Sequence, residues 1–378
     1  MMMDRAKVTL AKLIVLSVLV TAASLGVMAD EAQAQEARAE WAIAVHGGAG
    51  TARPEDVGSD RERQFREKLT EALSAGGEIL SAGGSALDAV EAAIRIMEDS
   101  PLFNAGKGAV FTHDGSNELD ASIMDGATLE AGAVASVQHV KNPITLARRV
   151  MDSSPHVLMA GAGAEEFALE QGIELVPKSY FFTESRWRSL QRALEAEQSA
   201  DARGGAEPDA AAAAVRRATA GELGAAGTVG VLREQPHIGE RLGTVGVVAL
   251  DRNGDLAAGT STGGRTNKRY GRIGDSPIVG AGTYADNDAC AVSGTGHGEF
   301  FITNAVAYDI CARVRYLDET IQDAADYVVM GVLVEQSADG GVIAMDPDGN
   351  VAMPFNTSAM LRGYLRAGAE PEVAIFRE

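Results

Sequence analysis

Cysteine is scarce in this sequence of 378 residues, which contains only Cys290 and Cys311. Two cysteines exclude a disulfide framework of the kind that stabilises small secreted domains, and they exclude a zinc site built from four thiolates. The sequence alone leaves open whether the two cysteines meet in the fold.

Positive charge is also scarce. The chain carries 33 Lys and Arg against 53 Asp and Glu, which gives a formal net charge of −20. Because binding to a phosphate backbone needs clustered basic residues, this balance excludes a nucleic-acid-binding role. The 6 histidines form no His-Glu-x-x-His or comparable metal pattern. With 46% hydrophobic and 23% charged residues, the chain otherwise has the composition of a globular protein.

Long hydrophobic runs are absent except near the N-terminus. Arg5, Lys7 and Lys12 precede an uncharged run over residues 13–29, and Ala32-Gln33-Ala34 follows. This layout is typical of a secretory signal, so residues 1–29 are predicted to be a signal peptide. A membrane anchor is the alternative, but the run is short for a membrane span. We expect an exported protein, periplasmic in a bacterium with two membranes, that has no membrane attachment after signal removal.

Apolar periodicity along the remaining chain favours a layered α+β fold over regularly alternating strands and helices. Strands are predicted at residues 42–45 and in two hairpins, 245–260 and 342–353, whose turns contain Asn253-Gly254 and Asp348-Gly349. Helices are predicted at residues 60–76, 85–98, 144–151, 299–315 and 320–335. Residues 195–243 are dominated by Ala, Glu, Arg and Gly, and they are predicted to be a flexible linker between two parts of the chain.

Two short motifs match those of known enzyme classes, but the residues around each motif do not fit that class. Gly259-Thr260-Ser261-Thr262-Gly263 matches the nucleophile elbow of serine hydrolases, but the residues after Gly263 make a poor helix start. Residues 161–163 outline the start of a dinucleotide fingerprint, but Glu166 replaces its third glycine and would repel a pyrophosphate. Neither a serine hydrolase nor a nucleotide-dependent enzyme is favoured.

Polar residues flanked by glycine are concentrated in residues 243–299. Such backbone permits close approach of a ligand and exposes N–H groups to an anion. Any one of these segments could be a surface turn, but four within one region favour a ligand site. The four segments are Gly243-Thr244-Val245-Gly246, Thr260-Ser261-Thr262-Gly263-Gly264, Gly271-Arg272-Ile273-Gly274-Asp275-Ser276-Pro277 and Gly294-Thr295-Gly296-His297-Gly298-Glu299.

This region resembles the β subunit of the plant-type asparaginase and isoaspartyl peptidase family, which are N-terminal nucleophile hydrolases with a threonine nucleophile. The resemblance covers the mature chain except the linker, and it implies an α+β fold built as a four-layer αββα sandwich. Further family-like segments are His46-Gly47-Gly48-Ala49-Gly50, Pro101-Leu102-Phe103-Asn104-Ala105-Gly106, Glu118-Leu119-Asp120-Ala121 and Pro354-Phe355-Asn356-Thr357.

The resemblance implies self-cleavage at Gly243–Thr244. Residues 30–243 would form an α subunit, and residues 244–378 a β subunit that begins with the nucleophile Thr244. The freed α-amine, with a pKa near 8, could then act as the base for the Thr244 hydroxyl, so no histidine is needed. A second Gly-Thr-Val-Gly at residues 227–230 lacks the following hairpin, so Thr228 is disfavoured as the nucleophile.

The resemblance also implies roles for residues downstream of the nucleophile. Thr262 would adjust the hydroxyl of Thr244. Arg272 would bind the substrate α-carboxylate and Asp275 its α-ammonium group. Thr295 and the backbone N–H of Gly296 would stabilise the oxyanion, and Gly298 would line the substrate site. His297 departs from the family pattern and bears on substrate range.

No cofactor is expected for catalysis, but a structural sodium ion is implied. Its ligands would be backbone carbonyls of Met97, Glu98, Ser100, Phe103, Ala105 and Lys107. The expected partner is a small amino acid or dipeptide, and family analogy implies a dimer of αβ heterodimers. The expected reaction is hydrolysis of L-asparagine, of isoaspartyl dipeptides, or of both. Glycosylasparaginase and a non-enzymatic binding protein for acidic amino acids are the alternatives.

Overall fold

Two β-sheets form the core of the fold in the computed structural model, which describes residues 39–51, 58–204 and 243–377. The larger sheet has eight strands in the order β12-β11-β1-β5-β6-β2-β3-β4, and all neighbours are antiparallel except β3 and β4. Its strands are β1 (Ala42–Gly50), β2 (Leu119–Asp125), β3 (Ala131–Val137), β4 (Leu158–Ala160), β5 (Val245–Leu250), β6 (Leu256–Thr262), β11 (Ala359–Arg366) and β12 (Glu372–Phe376).

The smaller sheet lies against the middle of the larger one. Its four strands run in the order β10-β9-β8-β7, where β7 is Thr283–Asp286, β8 is Cys290–Gly296, β9 is Gly340–Met345 and β10 is Val351–Ala352. Strands β8 and β9 contact β1 and β5 of the larger sheet. Strands β1, β5 and β6 are buried along their whole length, which explains their runs of small and apolar residues.

Helices cover the sheet faces that do not meet each other. Helices α1 (Ser59–Ser81), α2 (Ala86–Glu98) and α3 (Pro143–Ser153) contact the larger sheet and share its main hydrophobic core. Helices α7 (Val306–Leu317) and α8 (Ile321–Asp326) contact the smaller sheet and form a second core with it. The remaining helices are α4 (Gly161–Glu170), α5 (Glu184–Gly204), α6 (Gly298–Thr303) and α9 (Leu333–Glu335).

The predicted mixture of helices and strands is confirmed, with corrections at the ends of elements. The Ser85 side chain accepts a hydrogen bond from the Asp88 N–H at 3.1 Å and so caps α2 as expected. The predicted helix over residues 299–315 is broken between α6 and α7, where Ala305 has a φ of 48°. Residues 321–335 are helical throughout but include a π-helical turn, Tyr327–Val332.

Both predicted hairpins form, but the first turn differs from the simplest Asn-Gly type. The Gly254 N–H donates to the Asp251 carbonyl at 3.0 Å, which makes Arg252 and Asn253 the central residues of the turn, and Gly254 follows them with a φ of 88°. The Asp251 side chain also accepts hydrogen bonds from the N–H groups of Asn253 and Asp255. The turn is therefore set by the aspartate as well as by glycine.

A disulfide joins Cys290 at the start of β8 to Cys311 on α7, and both residues are buried. This resolves the pairing that the sequence left open. Helix α5 extends to Gly204, so it includes the first part of the predicted linker. The predicted signal peptide, the rest of the linker and Thr228 lie outside the described residues. Within the described ranges, no helix is both long enough and apolar enough to cross a membrane.

Candidate active site

Thr244 and Thr262 meet at one end of the larger sheet. Thr244 directly precedes β5, and Thr262 is the last residue of β6. The antiparallel register pairs Val245 with Ser261, which brings the two threonines side by side. The Thr244 hydroxyl donates to Thr262 Oγ1 at 3.1 Å, and Thr262 Oγ1 also accepts the Gly264 N–H at 3.0 Å. The proton of the half-buried Thr244 hydroxyl is therefore directed at Thr262, which leaves the lone pairs of Thr244 Oγ1 available to attack.

The backbone of Gly243 lies between β1 and the end of β8. A Cβ built on Gly48 would overlap the backbone of Gly243, so only glycine fits at this point of β1. On the other side, a Cβ built on Gly243 would lie 3.5 Å from Thr295 Oγ1. Thr295 therefore faces the peptide that precedes Thr244. The three threonines Thr244, Thr262 and Thr295 are called the threonine cluster below.

The Thr295 hydroxyl is set up as a donor. It is buried, and its oxygen accepts the Ala49 N–H at 3.3 Å. Since a hydroxyl that accepts one hydrogen bond retains its own proton, Thr295 can donate that proton to a third group. Because a Cβ on Gly243 would lie 3.5 Å from this hydroxyl, the donor lies beside the peptide that precedes Thr244, where it could stabilise negative charge on the Gly243 carbonyl.

Arg272 and Asp275 converge on Gly298, and these three residues are called the Arg272–Asp275 cluster. A Cβ built on Gly298 would lie 2.8 Å from Arg272 Nη2 and 2.8 Å from Asp275 Oδ1. The missing side chain thus leaves the space between a guanidinium and a carboxylate open. An α-amino acid carries one negative and one positive group on neighbouring atoms, which is the pattern that this space complements.

The charges in this cluster are not internally satisfied. Asp275 is buried, its Oδ2 has no hydrogen-bond partner among the described residues, and burial raises its pKa to about 7. Arg272 donates from Nε to Glu299 Oε1 at 2.9 Å. Burial opposes ionisation of Glu299, but the hydrogen bond and charge of Arg272 outweigh it and hold the pKa of Glu299 below its usual value. An added ammonium group would lower the cost of ionising Asp275.

The segment between the two clusters is short. Gly296 ends β8, directly after Thr295, and it leaves no room for a side chain because Phe301 and Gly340 lie against it. The backbone of His297 donates to the Asp339 carbonyl at 2.9 Å, and its Nδ1 accepts the Asp339 N–H at 3.2 Å. Both the backbone and the ring of His297 are therefore hydrogen-bonded to Asp339 in the loop that precedes β9.

Other residues of the site carried no predicted role. The side-chain amide of Asn104 donates to the Gly264 carbonyl at 2.7 Å, and the backbone carbonyl of Asn104 accepts the Gly263 N–H at 3.0 Å. Asn104 therefore holds the backbone that follows Thr262. Lys268 Nζ lies 3.9 Å from the buried Asp120 Oδ2, beneath the same loop. Asn104 and Asp120 belong to family-like segments, which was the only signal in the sequence. Lys268 gave none.

The predicted sodium loop begins with Met97 and Glu98, the last two residues of α2, and ends in a single 3₁₀ turn, Gly106–Gly108. Gly106 and Gly108 approach the carbonyl groups of Glu98 and Phe103 so closely that a Cβ on either glycine would overlap them. The Met97 carbonyl accepts the Ser100 N–H, and the Ala105 carbonyl accepts the Gly108 N–H. Lys107 directs its ammonium group at the ring of Tyr180, 5.3 Å from the centroid. Backbone oxygens crowded in one loop are a donor set that suits a hard cation.

Comparison with known proteins gives the family. The profile described as asparaginase (Asparaginase_2) matches residues 39–375, which is most of the chain. The chain belongs to this asparaginase family. It is 46% identical over 336 residues to an isoaspartyl peptidase of Salmonella typhimurium, and the match covers 89% of this chain and 98% of that protein.

Two further relatives match this asparaginase-family chain over most of its length. An isoaspartyl peptidase of Escherichia coli is 45% identical, with 89% of this chain and 96% of the relative covered. A plant-type L-asparaginase of Pyrococcus abyssi is 41% identical, with 88% and 99% covered. These matches identify the chain as a hydrolase of the family and confirm the resemblance that the sequence motifs indicated.

Proposed function

We propose that this chain is a self-cleaving threonine hydrolase that cleaves the side-chain amide of L-asparagine and the isoaspartyl bond of β-aspartyl dipeptides. The observation that carries the proposal is the threonine cluster. The Thr244 hydroxyl lies 3.1 Å from Thr262 Oγ1, and Thr295 faces the adjoining Gly243. This arrangement supports the roles of nucleophile for Thr244, hydrogen-bond acceptor for Thr262 and oxyanion donor for Thr295 around one peptide bond.

Maturation uses this geometry first. Thr244 Oγ1 attacks the Gly243 carbonyl, and its proton is relayed through the Thr262 hydroxyl, which accepts the hydrogen bond from Thr244. Thr295 stabilises the resulting tetrahedral oxyanion, and the intermediate collapses to an ester as the C–N bond breaks and the relayed proton goes to the departing Thr244 nitrogen. Water then hydrolyses the ester, which leaves a new carboxylate on Gly243 and a free α-amine on Thr244. Gly48 must be a glycine because its backbone touches that of Gly243 at the bond to be broken.

Turnover reuses the same hydroxyl on an external amide. The free α-amine of Thr244, with a pKa near 8, takes the hydroxyl proton as Oγ1 attacks the substrate's side-chain carbonyl. Thr295 and the Gly296 N–H stabilise the oxyanion, and the proton on the α-amine passes to the leaving ammonia or amino acid. Water then hydrolyses the β-aspartyl ester on Thr244. No step requires a cofactor.

Substrate selection follows from the Arg272–Asp275 cluster. Arg272 pairs with the α-carboxylate and Asp275 with the α-ammonium group, and Gly298 leaves the space for them. Asparagine and β-aspartyl dipeptides share these two groups and differ only in what leaves. The relatives named isoaspartyl peptidase and plant-type L-asparaginase support both substrates. Glycosylated asparagine carries the same groups, so glycosylasparaginase activity is the competing assignment.

Two measurements test the proposal. A denaturing gel with N-terminal sequencing should show two fragments, the second of which begins at Thr244. A single full-length band from an active preparation would contradict the mechanism, and a single band without activity would favour a binding protein. The processed enzyme is then assayed with asparagine, a β-aspartyl dipeptide and glycosylated asparagine. Turnover of glycosylated asparagine alone would reassign the chain to glycosylasparaginase.

The domain organisation proposed for the mature protein is one composite unit. Strand β1 of the α subunit lies between β5 and β11 of the β subunit, so cleavage at Gly243 would leave the subunits interleaved in one sheet. Helices contacting the outer faces of two facing sheets support a four-layer αββα sandwich. A dimer of such αβ units rests on family analogy, and light scattering of the processed protein would test it.

A structural sodium ion in residues 97–107 is supported by the backbone carbonyls of that loop. Met97, Glu98, Ser100, Phe103, Ala105 and Lys107 would supply them, and the ion would hold the loop that contains Asn104 behind Thr262. Replacing sodium with choline in the buffer should lower the melting temperature. An unchanged melting temperature would remove the site.

Export to the periplasm is the proposed location. The N-terminal residues 1–29 have the layout of a secretory signal, and the buried Cys290–Cys311 disulfide suits an oxidising compartment. Fractionation of the source bacterium should recover the protein outside the cytoplasm without residues 1–29. Recovery in the cytoplasm with these residues retained would contradict the proposal.

A further inference from the structure

A second layer of polar residues lies one strand step behind the threonine cluster. Gly246, Thr260 and Ser293 are each two residues from Thr244, Thr262 and Thr295 on the same three strands. Residues two apart on a strand point to the same face and are about 7 Å apart. The second layer therefore repeats the arrangement of the threonine cluster, deeper between the sheets.

His46 fills the position that Gly246 leaves open. The β1–β5 register places His46 opposite Gly246, and a Cβ on Gly246 would overlap both the imidazole and Ser293 Oγ. The His46 Nε2 and Ser293 Oγ atoms are 3.0 Å apart, and Ser293 Oγ lies 2.6 Å from Thr260 Oγ1. All three side chains are fully buried. This hydrogen-bonded set of His46, Ser293 and Thr260 is called the inter-sheet chain.

Neighbouring groups extend the inter-sheet chain. The Thr260 hydroxyl donates to the Gly282 carbonyl at 3.1 Å and accepts a hydrogen bond from the buried Thr283 hydroxyl. Burial lowers the pKa of His46 to about 3, against an opposing hydrogen bond to the Thr244 backbone, so the ring stays neutral at working pH.

The inter-sheet chain spans the boundary that the threonine cluster also spans. His46 and Thr260 lie on the larger sheet with Thr244 and Thr262, whereas Ser293 lies on the smaller sheet with Thr295. Within the part of the chain that the structure describes, no disulfide joins the two sheets, since the Cys290–Cys311 bond links β8 to α7. A hydrogen-bonded link one strand step behind the threonine cluster fixes the distance between the two sheets close to the reacting groups. This distance affects the reaction rate because an oxyanion donor must lie within tenths of an ångström of its hydrogen-bonding position.

We propose that His46, Ser293 and Thr260 are positioning residues that set the distance between Thr295 on the smaller sheet and Thr244 on the larger one. The inference rests on the proposed function, since it assigns the inter-sheet chain an effect only through Thr295. Loss of the Ser293 hydroxyl misplaces the oxyanion donor during both self-cleavage and turnover. It does not alter the Arg272–Asp275 cluster, so substrate binding is preserved.

The test compares Ser293→Ala with two controls. Ser293→Ala should lower the self-cleavage rate and the kcat of the processed fraction by about tenfold each, with KM unchanged. Ser189→Ala removes another buried hydroxyl, which donates to the Ser185 carbonyl and accepts from Arg192, both within α5, and should leave both rates unchanged. A KM effect alone, or a kcat equal to that of the parent enzyme, would overturn the positioning role.

A matched pair at Thr260 covers the case in which Ser293→Ala does not fold. Thr260→Val keeps the shape of the side chain and removes the hydroxyl, whereas Thr260→Ser keeps the hydroxyl. Thr260→Val should show the tenfold loss, and Thr260→Ser should restore most of it. Equal rates for the two variants would mean that packing, not the hydrogen bond, matters at this position, and would overturn the proposal.

A double-mutant cycle with Thr295→Ala separates this inference from the proposed function. If Ser293 acts through Thr295, adding Ser293→Ala to Thr295→Ala should cost less than twofold in the self-cleavage rate. A further tenfold loss of the self-cleavage rate in the double variant would show that Ser293 acts independently of Thr295. That result would reject the positioning role and leave the oxyanion role of Thr295 in place. If Thr295→Ala by itself left the rates unchanged, the oxyanion assignment would fail, and the positioning role with it.

Discussion

The threonine cluster and the Arg272–Asp275 cluster are built on opposite principles. The threonine side chains come from the ends of β5, β6 and β8, and each hydroxyl lies beside backbone or hydroxyl partners fixed by strand register. Arg272 and Asp275 come from the loop between β6 and β7. There Arg272 pairs with the half-exposed Glu299, and one oxygen of Asp275 has no hydrogen-bond partner among the residues the structure describes.

This difference separates groups that must be in place before the reaction from groups that must exchange partners. A nucleophile and an oxyanion donor lose rate if they reorganise during the reaction, so neutral hydroxyls on strands suit them. Groups that recognise a zwitterion must give up their resting partners to it. Substitutions in the threonine cluster should therefore affect kcat and maturation, whereas substitutions in the Arg272–Asp275 cluster should affect kcat/KM and leave maturation intact.

The largest effect is expected for Thr244→Ala. Removing one hydroxyl should abolish both self-cleavage and turnover, with a loss of at least about 10⁴-fold in activity, because that oxygen is the nucleophile in both. The protein should remain full-length and folded, which a gel and a melting curve would show. Thr228→Ala is the control, since it alters the other Gly-Thr-Val-Gly and should mature normally. Cleavage of Thr244→Ala but not of Thr228→Ala would move the nucleophile upstream.

Asp275→Asn should come next, with a loss of about a hundredfold in kcat/KM and normal maturation. The substrate ammonium group would lose its charged partner in a buried site. In the parent enzyme, protonation of Asp275 has the same consequence, and its pKa of about 7 places the change near neutrality. The kcat/KM of the parent should therefore fall below pH about 7 more steeply than protonation of the Thr244 α-amine, with its pKa near 8, would cause alone, and Asp275→Asn should lose this extra fall. Equal slopes for the parent and Asp275→Asn would count against Asp275 as the ammonium site.

The same substitution should stabilise the protein at high pH. Burial raises the pKa of Asp275 in the folded state above its unfolded value, so its contribution to folding is complete below pH about 4 and is lost as the pH rises to about 7. Ionising it in the fold costs on the order of 4 kcal/mol, which asparagine avoids. The melting temperature of Asp275→Asn should exceed that of the parent at pH 8, and the gap should close towards pH 4. A constant gap would mean that charge is not its cause.

Arg272→Lys should cost about thirtyfold in kcat/KM, on the order of 2 kcal/mol, and should leave self-cleavage unaffected. Lysine keeps the charge but cannot offer paired donors to a carboxylate. Arg269→Lys is a matched control, because Arg269 lies in the same loop but pairs with Glu197 of α5. Parent-like kcat/KM for Arg272→Lys would remove Arg272 as the carboxylate anchor, and failure to mature would give it a folding role.

The elements of the fold and the residues of both clusters could be predicted from the sequence. Helices, hairpins and the fold class followed from apolar periodicity and turn residues, and the site residues followed from motifs that keep their spacing within one chain segment. Thr262, Arg272 and Asp275 lie close to Thr244 in sequence or in register, so their meeting could be expected. The assignment of chemistry to them came from the family resemblance, since hydroxyls flanked by glycine have no single meaning by themselves.

Contacts between distant segments were not predictable in the same way. The sequence gives no sign that Gly48 lies against Gly243, because their contact depends on the pairing of β1 with the distant β5. It gives no sign either that His46 meets Ser293, because that contact depends on the packing of one sheet on the other. The Cys290–Cys311 bond depends likewise on α7 lying over β8. The helix break at Ala305 was missed because residues 299–315 keep an apolar spacing through it.

The smallest effect is expected at Glu299, and it tests whether the resting partner of Arg272 competes with substrate. Glu299 accepts a hydrogen bond from Arg272 Nε and carries a negative charge beside the place of the substrate carboxylate. Glu299→Gln keeps an acceptor for Nε but removes the charge, so Arg272 should stay in place while repulsion of the substrate falls. Because half-exposed ion pairs are worth up to about 1 kcal/mol, KM should fall by about two- to threefold with kcat unchanged.

Glu335→Gln makes the same charge change on the exposed surface of α9 and should leave KM unaltered. A rise in KM for Glu299→Gln would mean that the charge of Glu299 holds Arg272 in its binding position, and the two clusters would then be equally fixed before substrate arrives.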